Sequence, residues 1–147
     1  MQLIVTHKHV VAADTVCVRF ASAGGGRLTT FKPGAHIEMS FFGMMRRYSL
    51  TSLSSETNHY EICVLRTNPN AGGSAYIHDR LKPGDTIEVS EPQNDFPLNC
   101  DAAYTVFVAG GIGITPFYTM MDALHRAGSP FELHYAARAK NRFLPIS

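Results

Sequence analysis

The stretch from Thr105 to Pro116, TVFVAGGIGITP, predicts a buried strand, a glycine-rich turn and the start of a helix. Its first five residues form a nearly continuous apolar run, as expected of a strand that is buried on both faces. Thr115 is suited to cap a helix, and Pro116 is suited to the first helical position. Glycines before a helix N-terminus have two interpretations. They indicate a binding site for an anion such as pyrophosphate, or a tight turn required by strand–helix packing.

The residues after this turn predict one helix and a second strand. An apolar stripe at helical spacing is formed by Phe117, Met120, Met121 and Leu124. Gly128 is a natural stop for a helix over Pro116–Ala127, and Phe131–Ala137 has the composition of a strand. The whole segment therefore predicts a strand–helix–strand unit with two parallel strands.

The residues before this unit are organised differently, as short strands separated by turns. Six strand-like runs are present: Leu3–Val11, Thr15–Ala21, His36–Phe41, Arg46–Thr51, His59–Arg66 and Thr86–Ser90. Gly24–Gly26, Lys32–Gly34 and Lys82–Gly84 supply turn signals between them. This punctuation predicts a closed antiparallel barrel, and it divides the chain into residues 1–100 and 101–147.

Two motifs in the barrel part have the chemistry of a flavin site. Arg47–Leu50, RYSL, lies on a predicted strand, and Gly72–Ser74, GGS, follows the next strand. A flavin phosphate needs a cation and backbone N–H groups, and the ring needs an apolar wall. Taken alone, these residue types also fit a structural explanation, in which Arg47 is a surface charge on the strand and Tyr48 is a core aromatic. Arg46 is expected to point to the opposite face from Arg47, into solvent.

Four segments together carry a family resemblance: Arg47–Ser52 (RYSLTS), Gly72–Leu81 (GGSAYIHDRL), Asn94–Leu98 (NDFPL) and Gly110–Pro116 (GGIGITP). In this order they resemble the ferredoxin–NADP reductase superfamily, and within it the reductase components of ring-hydroxylating oxygenases and demethylases. The resemblance implies a six-stranded antiparallel Greek-key flavin-binding barrel, followed by part of a Rossmann-like nucleotide domain. It also implies FMN rather than FAD, because the likeness extends through the FMN-type segment.

The resemblance assigns roles to particular residues. Arg47 would pair with the FMN phosphate, Tyr48 would pack on the isoalloxazine ring, and Ser49 would act catalytically beside flavin N5. Gly72 and Gly73 would let the backbone close on the phosphate, with the Ser74 hydroxyl and the start of a short helix completing the cradle. The further flavin-binding residues implied are Leu50, Val64, Leu65 and Arg66, and those for the nicotinamide nucleotide are Gly110, Gly111, Gly113, Thr115 and Pro116.

The implied function is electron transfer from NADH or NADPH through FMN to an oxygenase or ferredoxin. The family's cysteine-rich ferredoxin domain is absent, so we expect no iron–sulfur cluster in this chain. Only nine residues follow Arg138, whereas the nucleotide domain needs further strand–helix repeats. We therefore expect a truncated product or a fragment. The alternatives are a truncated flavin-binding module without turnover and an unrelated β-barrel interaction domain.

Composition excludes several other classes of protein. Charged residues make up 17% of the chain and the net charge is +1, without blocks of like charge, which argues against a nucleic-acid or anionic-membrane surface. No apolar stretch approaches the ~20 residues of a membrane span, and the N-terminus lacks a signal-peptide pattern, so we expect a cytoplasmic protein. The three cysteines, Cys17, Cys63 and Cys100, are odd in number and widely spaced, which predicts free thiols and no disulfide or metal site.

The strand–helix–strand unit also predicts self-association. A single helix covers only one face of a two-stranded sheet, and both strands keep an open edge. We therefore expect a homodimer formed through residues 104–147, since a closed two-fold contact would cover both defects.

Overall fold

The computed structural model of the protein describes residues 1–67 and 72–146. Eight strands and two α-helices are present in these residues: β1 (Gln2–Ala12), β2 (Thr15–Ser22), β3 (His36–Phe41), β4 (Met44–Ser49), β5 (Tyr60–Leu65), α1 (Gly73–Asp79), β6 (Thr86–Glu88), β7 (Thr105–Gly110), α2 (Thr115–Ala127) and β8 (Phe131–Ala136). Two short 3₁₀ turns occupy Gly111–Ile114 and Lys140–Arg142. No helix within the described ranges is both long and apolar enough to span a bilayer.

The first six strands form the predicted antiparallel barrel. One sheet has the order β5-β2-β1-β6, and β3 pairs with β4 in a hairpin. Backbone hydrogen bonds close the two sheets on each other, from the Thr51 N–H to the Glu61 carbonyl (2.8 Å) and from the Ser90 N–H to the Glu38 carbonyl (2.9 Å). The alternate residues Ile37, Met39 and Phe41 of β3 point inward and are buried in the barrel core.

The bounds of β4 in the β3–β4 hairpin differ from the predicted ones. The sequence pattern predicts a strand over Arg46–Thr51, but β4 covers Met44–Ser49. Phe42 and Gly43 both have positive φ, 50° and 77°, and form a two-residue turn between the strands. This backbone geometry is the one that suits the twist of a tight hairpin, but the pair Phe-Gly is not a usual sequence signal for it. The turn places Arg46 and Arg47 in the middle of β4.

The second part is the predicted parallel strand–helix–strand unit. Strands β7 and β8 pair in parallel with Phe107 opposite Leu133, and the apolar stripe of α2 is buried. Gly128 ends the helix in the left-handed conformation, at φ 68°. The predicted cap is wrong, because the 3₁₀ turn runs straight into α2 and Thr115 is already helical. The Thr115 hydroxyl instead donates to the Ile112 carbonyl at 3.0 Å, and Pro116 follows as the second helical residue.

The helix α2 packs against the outer face of the barrel. A second apolar core, separate from the barrel interior, is formed by Ala12, Cys17, Cys63, Phe107, Ala109, Ile114, Phe117, Met120, Met121, Leu124 and Leu144. Close approach on one side depends on Gly34, where an added Cβ would lie 2.2 Å from the Phe96 carbonyl oxygen. The Gly34 N–H donates to the Thr119 hydroxyl of α2 at 3.0 Å, which ties the helix to the barrel.

The prediction that all cysteines are free thiols is wrong for two of them. Cys17 of β2 and Cys63 of β5 are joined by a disulfide, whereas Cys100 is free and exposed. The β2–β5 register places these two residues directly opposite each other, with their Cα atoms 4.1 Å apart. Antiparallel residues in such directly opposed positions have neighbouring side chains. The 46-residue separation hides this pairing from any local sequence pattern.

Candidate functional site

One cavity, of about 510 Å³, collects most of the predicted site residues. Its lining includes eleven of them: Arg47, Tyr48, Ser49, Val64, Leu65, Gly72, Gly73, Ser74, Gly113, Thr115 and Pro116. These residues come from β4, from β5, from the start of α1 and from the turn that leads into α2. Four separate segments of the sequence therefore meet at a single concave surface, which lies between the barrel and α2.

Gly72 and Gly73, at the start of α1, line the cavity with backbone that carries no side chain. Gly72 has φ 95°, a conformation that L side chains rarely adopt. A Cβ at Gly73 would lie 2.8 Å from the Phe41 ring and 3.0 Å from the Tyr48 hydroxyl. The Gly73 backbone therefore lies close to the Phe41 ring and the Tyr48 hydroxyl, with too little room for a Cβ between them.

The Ser74 hydroxyl has a different environment from the predicted one. Ser74 is buried, its oxygen accepts from the Thr67 N–H at 3.3 Å, and the two hydroxyls lie 3.1 Å apart. These contacts join the residues on either side of positions 68–71. The hydroxyl is therefore already engaged in hydrogen bonds within the protein.

The two arginines of β4 point to opposite faces, as predicted, but their partners differ from the expectation. Arg47 lies opposite Glu38 in the hairpin and donates to its carboxylate at 2.9 Å, and to Asp95 at 3.3 Å. Arg46 lies opposite Met39, on the face that also carries Tyr48. Its guanidinium donates to the Met45 carbonyl at 2.9 Å, and no carboxylate pairs with it within residues 1–67 and 72–146. A bound phosphate would therefore meet two carboxylates beside Arg47 but none beside Arg46.

Tyr48 and Ser49 occupy the barrel side of the cavity. Both side chains are half-buried. Burial raises the pKa of the Tyr48 phenol, while the nearby positive charge of Arg46 lowers it by a smaller amount. The phenol is therefore neutral at physiological pH, and the contribution of Arg46 shows that the guanidinium lies close to it. Ser49 is directly opposite His36, whose Nε2 is buried and unpartnered in the part of the chain that the structure describes.

Four predicted residues lie outside this lining. Leu50 is fully buried in the barrel core, so its side chain is directed away from the cavity. Arg66 forms a two-pronged ion pair with Asp79, at 2.6 and 2.7 Å, and these hydrogen bonds hold the pKa of the Asp79 carboxyl below its usual range. Gly110 and Gly111 line a neighbouring cavity of about 820 Å³.

The neighbouring cavity adjoins the first one. Leu65, Thr67 and Ile112 line both cavities. The larger cavity is also lined by Arg138 and Arg142, which belong to none of the predicted motifs. The lining of the first cavity adds Arg46, Cys63, Thr67 and Ile112 to the predicted set. Of these, Arg46 adjoins the RYSL motif and Ile112 lies within the GGIGITP motif, whereas Cys63 and Thr67 belong to neither motif.

Comparison with known proteins identifies the family of the chain. The sequence profile of the family described as "Oxidoreductase FAD-binding domain" matches residues 2–97. The chain is 37% identical over 143 residues to vanillate O-demethylase oxidoreductase of Pseudomonas sp. (strain HR199 / DSM 7063), a match that covers 97% of this chain and 45% of the relative. It is 43% identical over 114 residues to phenoxybenzoate dioxygenase subunit beta of Ectopseudomonas oleovorans, covering 77% of this chain and 36% of the relative.

A solved structure gives the same result for the fold. Phthalate dioxygenase reductase, described as a modular structure for electron transfer from pyridine nucleotides to a 2Fe-2S centre, superposes with a TM-score of 0.91. The identity is 36%, and the match covers 98% of this chain and 46% of that one. The chain therefore spans a little under half the length of these reductases.

Proposed function

The chain belongs to the oxidoreductase FAD-binding domain family, and from this membership we propose that it is the flavin-binding part of an NAD(P)H-dependent oxygenase or demethylase reductase. Residues 1–100 are the flavin-binding domain, and residues 101–147 are the first part of the nicotinamide-nucleotide domain. The convergence of eleven predicted residues on one cavity is the observation that carries the proposal. The electron acceptor is an oxygenase or a ferredoxin, and the compartment is the cytoplasm.

The proposed flavin is FMN, held in the cavity between β4, β5 and the start of α1. The lack of room for a Cβ between Gly73 and Tyr48 supports this fit, because the phosphate can approach bare backbone N–H groups only where no side chain intervenes. When bound, the flavin supplies an N5 atom that accepts hydride and a ring that releases electrons singly. The FMN-type resemblance of Gly72–Leu81 supports FMN over FAD.

The residues of β4 divide the remaining tasks. The neutral Tyr48 phenol ring supplies an apolar wall, and the Ser49 hydroxyl supplies a polar group at the edge of the ring system. The sequence motif pointed to Arg47 as the phosphate anchor, but we assign this role to Arg46. Arg46 shares a face with Tyr48 and has no carboxylate partner in the described ranges, whereas Glu38 and Asp95 already neutralise Arg47.

The nicotinamide nucleotide is assigned to the adjoining cavity. Its pyrophosphate would contact Gly110 and Gly111, which line that cavity, and Gly113, which lines the first cavity next to it. This glycine segment precedes the N-terminus of α2. The residues shared by the two cavities bring the nicotinamide and flavin positions together. Thr115 and Pro116 contribute to the wall on the side of α2.

A second candidate is a flavin-binding module without catalytic turnover. The exposure of Val106 and Val108 on one face of β7 favours it, because parallel strands of a nucleotide-binding sheet usually bury such side chains on both faces. Misplacing a reacting group by about an ångström costs ~100-fold in rate, so partial pyrophosphate contacts would not position the nicotinamide.

Two measurements on the purified chain test these functions. Heat release and mass identification of the flavin should give about one FMN per chain after incubation with FMN. An anaerobic titration with NADH then separates the candidates: bleaching of the flavin supports the reductase, and a persistent yellow colour supports the module. A colourless protein that fails to bind either FMN or FAD would refute both.

A further inference from the structure

The Cys17–Cys63 disulfide lies at the junction of two cavities. It is on the outer face of the barrel, beneath α2, and both cysteines line a cavity of about 530 Å³. Cys63 also lines the proposed flavin cavity, and it is the one residue common to the two linings within the described residues. The disulfide is therefore adjacent to the place where the flavin is proposed to bind.

Polar groups surround the two sulfur atoms. A carboxylate oxygen of Glu61 and both Sγ atoms lie within 4.8 Å of one another. The Thr51 hydroxyl is 3.9 Å from the Cys63 Sγ, and Arg19 pairs with Glu61 at 3.1 Å. A disulfide that only links strands needs no such neighbours, whereas a disulfide that opens to two thiols needs groups that can exchange protons and hydrogen-bond to the products.

We propose that Cys17 and Cys63 form a second redox centre, which exchanges two electrons with the flavin. This inference rests on the proposed flavin site. The reduced, anionic flavin loses two electrons and its N5 proton, the S–S bond breaks, and one further proton from water completes two thiols. The water-accessible cavity beneath α2 and the Glu61 carboxylate provide the route for this proton.

The expected compartment strengthens the assignment. Disulfides in a reducing cytoplasm are usually transient and catalytic or redox-sensing, because cellular thiols reduce the others. Strands β2 and β5 are already paired over six residue pairs, Thr15–Leu65 through Phe20–Tyr60, so their alignment does not depend on the covalent bond. Opening the bond thus leaves the surrounding sheet in place.

The test counts electrons and thiols in flavin-loaded protein. The chain is loaded with FMN in air, photoreduced anaerobically with measured electron equivalents, and then alkylated and weighed by mass spectrometry. In the parent, full flavin reduction should take about four electrons per flavin, and alkylation should extend from Cys100 alone to all three cysteines. In Cys17→Ser, reduction should take about two electrons, with the same cysteines alkylated before and after. The matched control Cys100→Ser should take as many electrons as the parent, with alkylation extending from no cysteine to Cys17 and Cys63.

Three results would overturn the inference, and they separate it from the proposed function. Reduction of the parent by about two electrons, with alkylation confined to Cys100, would leave flavin binding intact and remove the second redox centre. Alkylation of all three cysteines before reduction would show that the pair does not persist as a disulfide. Failure of the chain to bind flavin would refute the proposed function, and this inference with it.

Discussion

At the residue scale, the neighbours Arg46 and Arg47 show how strand alternation separates two adjacent cations. Arg47 shares its face with Glu38, and the resulting ion pair of 2.9 Å is formed directly across the hairpin. Arg46 shares its face with Tyr48 and with the contact between Phe41 and Gly73. The second face also carries Tyr48, whose hydroxyl lies close to Gly73, so we propose that the phosphate and its cation are on this face.

We predict that Arg46→Ala weakens FMN binding much more than Arg47→Ala. Hydrogen bonds to charged groups contribute ~1.5–3 kcal/mol, which corresponds to roughly a ten- to hundredfold loss of affinity for Arg46→Ala. Arg47→Ala removes only exposed ion pairs, and its effect should stay within about threefold. Fluorescence titration of FMN measures both constants. A larger loss for Arg47→Ala would restore the assignment made from the sequence motif.

We predict that Gly73→Ala both destabilises the chain and weakens flavin binding. The new Cβ would lie 2.8 Å from the Phe41 ring, and overpacking of this kind costs about 1–3 kcal/mol. Gly24→Ala is the matched control, because nothing lies within 4 Å of its added Cβ. Urea unfolding and FMN titration of the two variants check the prediction. Equal stability of the variants would show that the contact at Gly73 relaxes freely.

Residue-level roles were only partly predictable from the sequence. The motif RYSL identified a strand with two adjacent arginines, Arg46 just before the motif and Arg47 within it. The alternation of side chains along a strand predicted that these two point in opposite directions. Which arginine meets carboxylates depends on Glu38 and Asp95, which reach it through the hairpin register and a distant loop. The same limit applies to Cys17 and Cys63, whose contact is created by pairing of strands that are far apart in the sequence.

At the element scale, an ion pair between Arg66 and Asp79 joins α1 to the end of β5. Arg66 directly follows β5, and its guanidinium donates two hydrogen bonds to the carboxylate of Asp79, the last residue of α1. This ion pair holds in place the helix whose first residues, Gly73 and Ser74, line the cavity. Its strength should depend on pH, since the hydrogen bonds from Arg66 lower the pKa of the Asp79 carboxyl.

We predict that Asp79→Asn lowers the free energy of unfolding at neutral pH but not in acid. A carboxyl with a depressed folded-state pKa stabilises the fold above its unfolded pKa of ~3.9, and this contribution is lost as the pH falls through the folded pKa. The difference between parent and variant should therefore begin to shrink at about pH 4 and disappear below the lowered folded-state pKa of Asp79. Asp101→Asn, in an exposed loop, is the control. Denaturant titrations at several pH values provide the test, and a difference that persists in acid would contradict it.

Most elements were predictable because their apolar periodicity is strong. His36–Phe41 and the α2 stripe have clear two- and 3.6-residue repeats, and both are found as expected. The errors lie at boundaries where local backbone geometry decides. The turn at Phe42–Gly43 shifted β4, and the 3₁₀ turn before Thr115 removed its capping role. Neither geometry has a distinctive residue signal.

At the whole-molecule scale, the β7–β8 pair leaves apolar side chains uncovered. Val106 and Val108 are 50% and 73% exposed, on the face turned away from α2. In the described part of the chain, these two strands pair only with each other, so each has an unpaired edge. An exposed apolar face with open edges invites association with another chain.

We predict that the chain forms a homodimer through residues 104–147 and that Val108→Lys makes it monomeric. A lysine on the apolar face would bury an unpaired charge at the contact. Val10→Lys is a matched control, because Val10 is 74% exposed but lies on the barrel strand β1. Sedimentation at micromolar concentration should give a dimer for parent and control. A monomeric parent with well-protected amides over residues 104–137 would contradict this prediction.

The central claim, that four distant segments form one flavin site, is tested most directly by amide hydrogen exchange with and without saturating FMN. The account predicts slower exchange in residues 46–49, 63–65, 72–74 and 112–115, which line the cavity. It predicts no change in the remote loop Gly24–Gly26, at which an added Cβ would meet open space. Protection of only one of these segments, or protection confined to the remaining surface while FMN is bound, would contradict the claim.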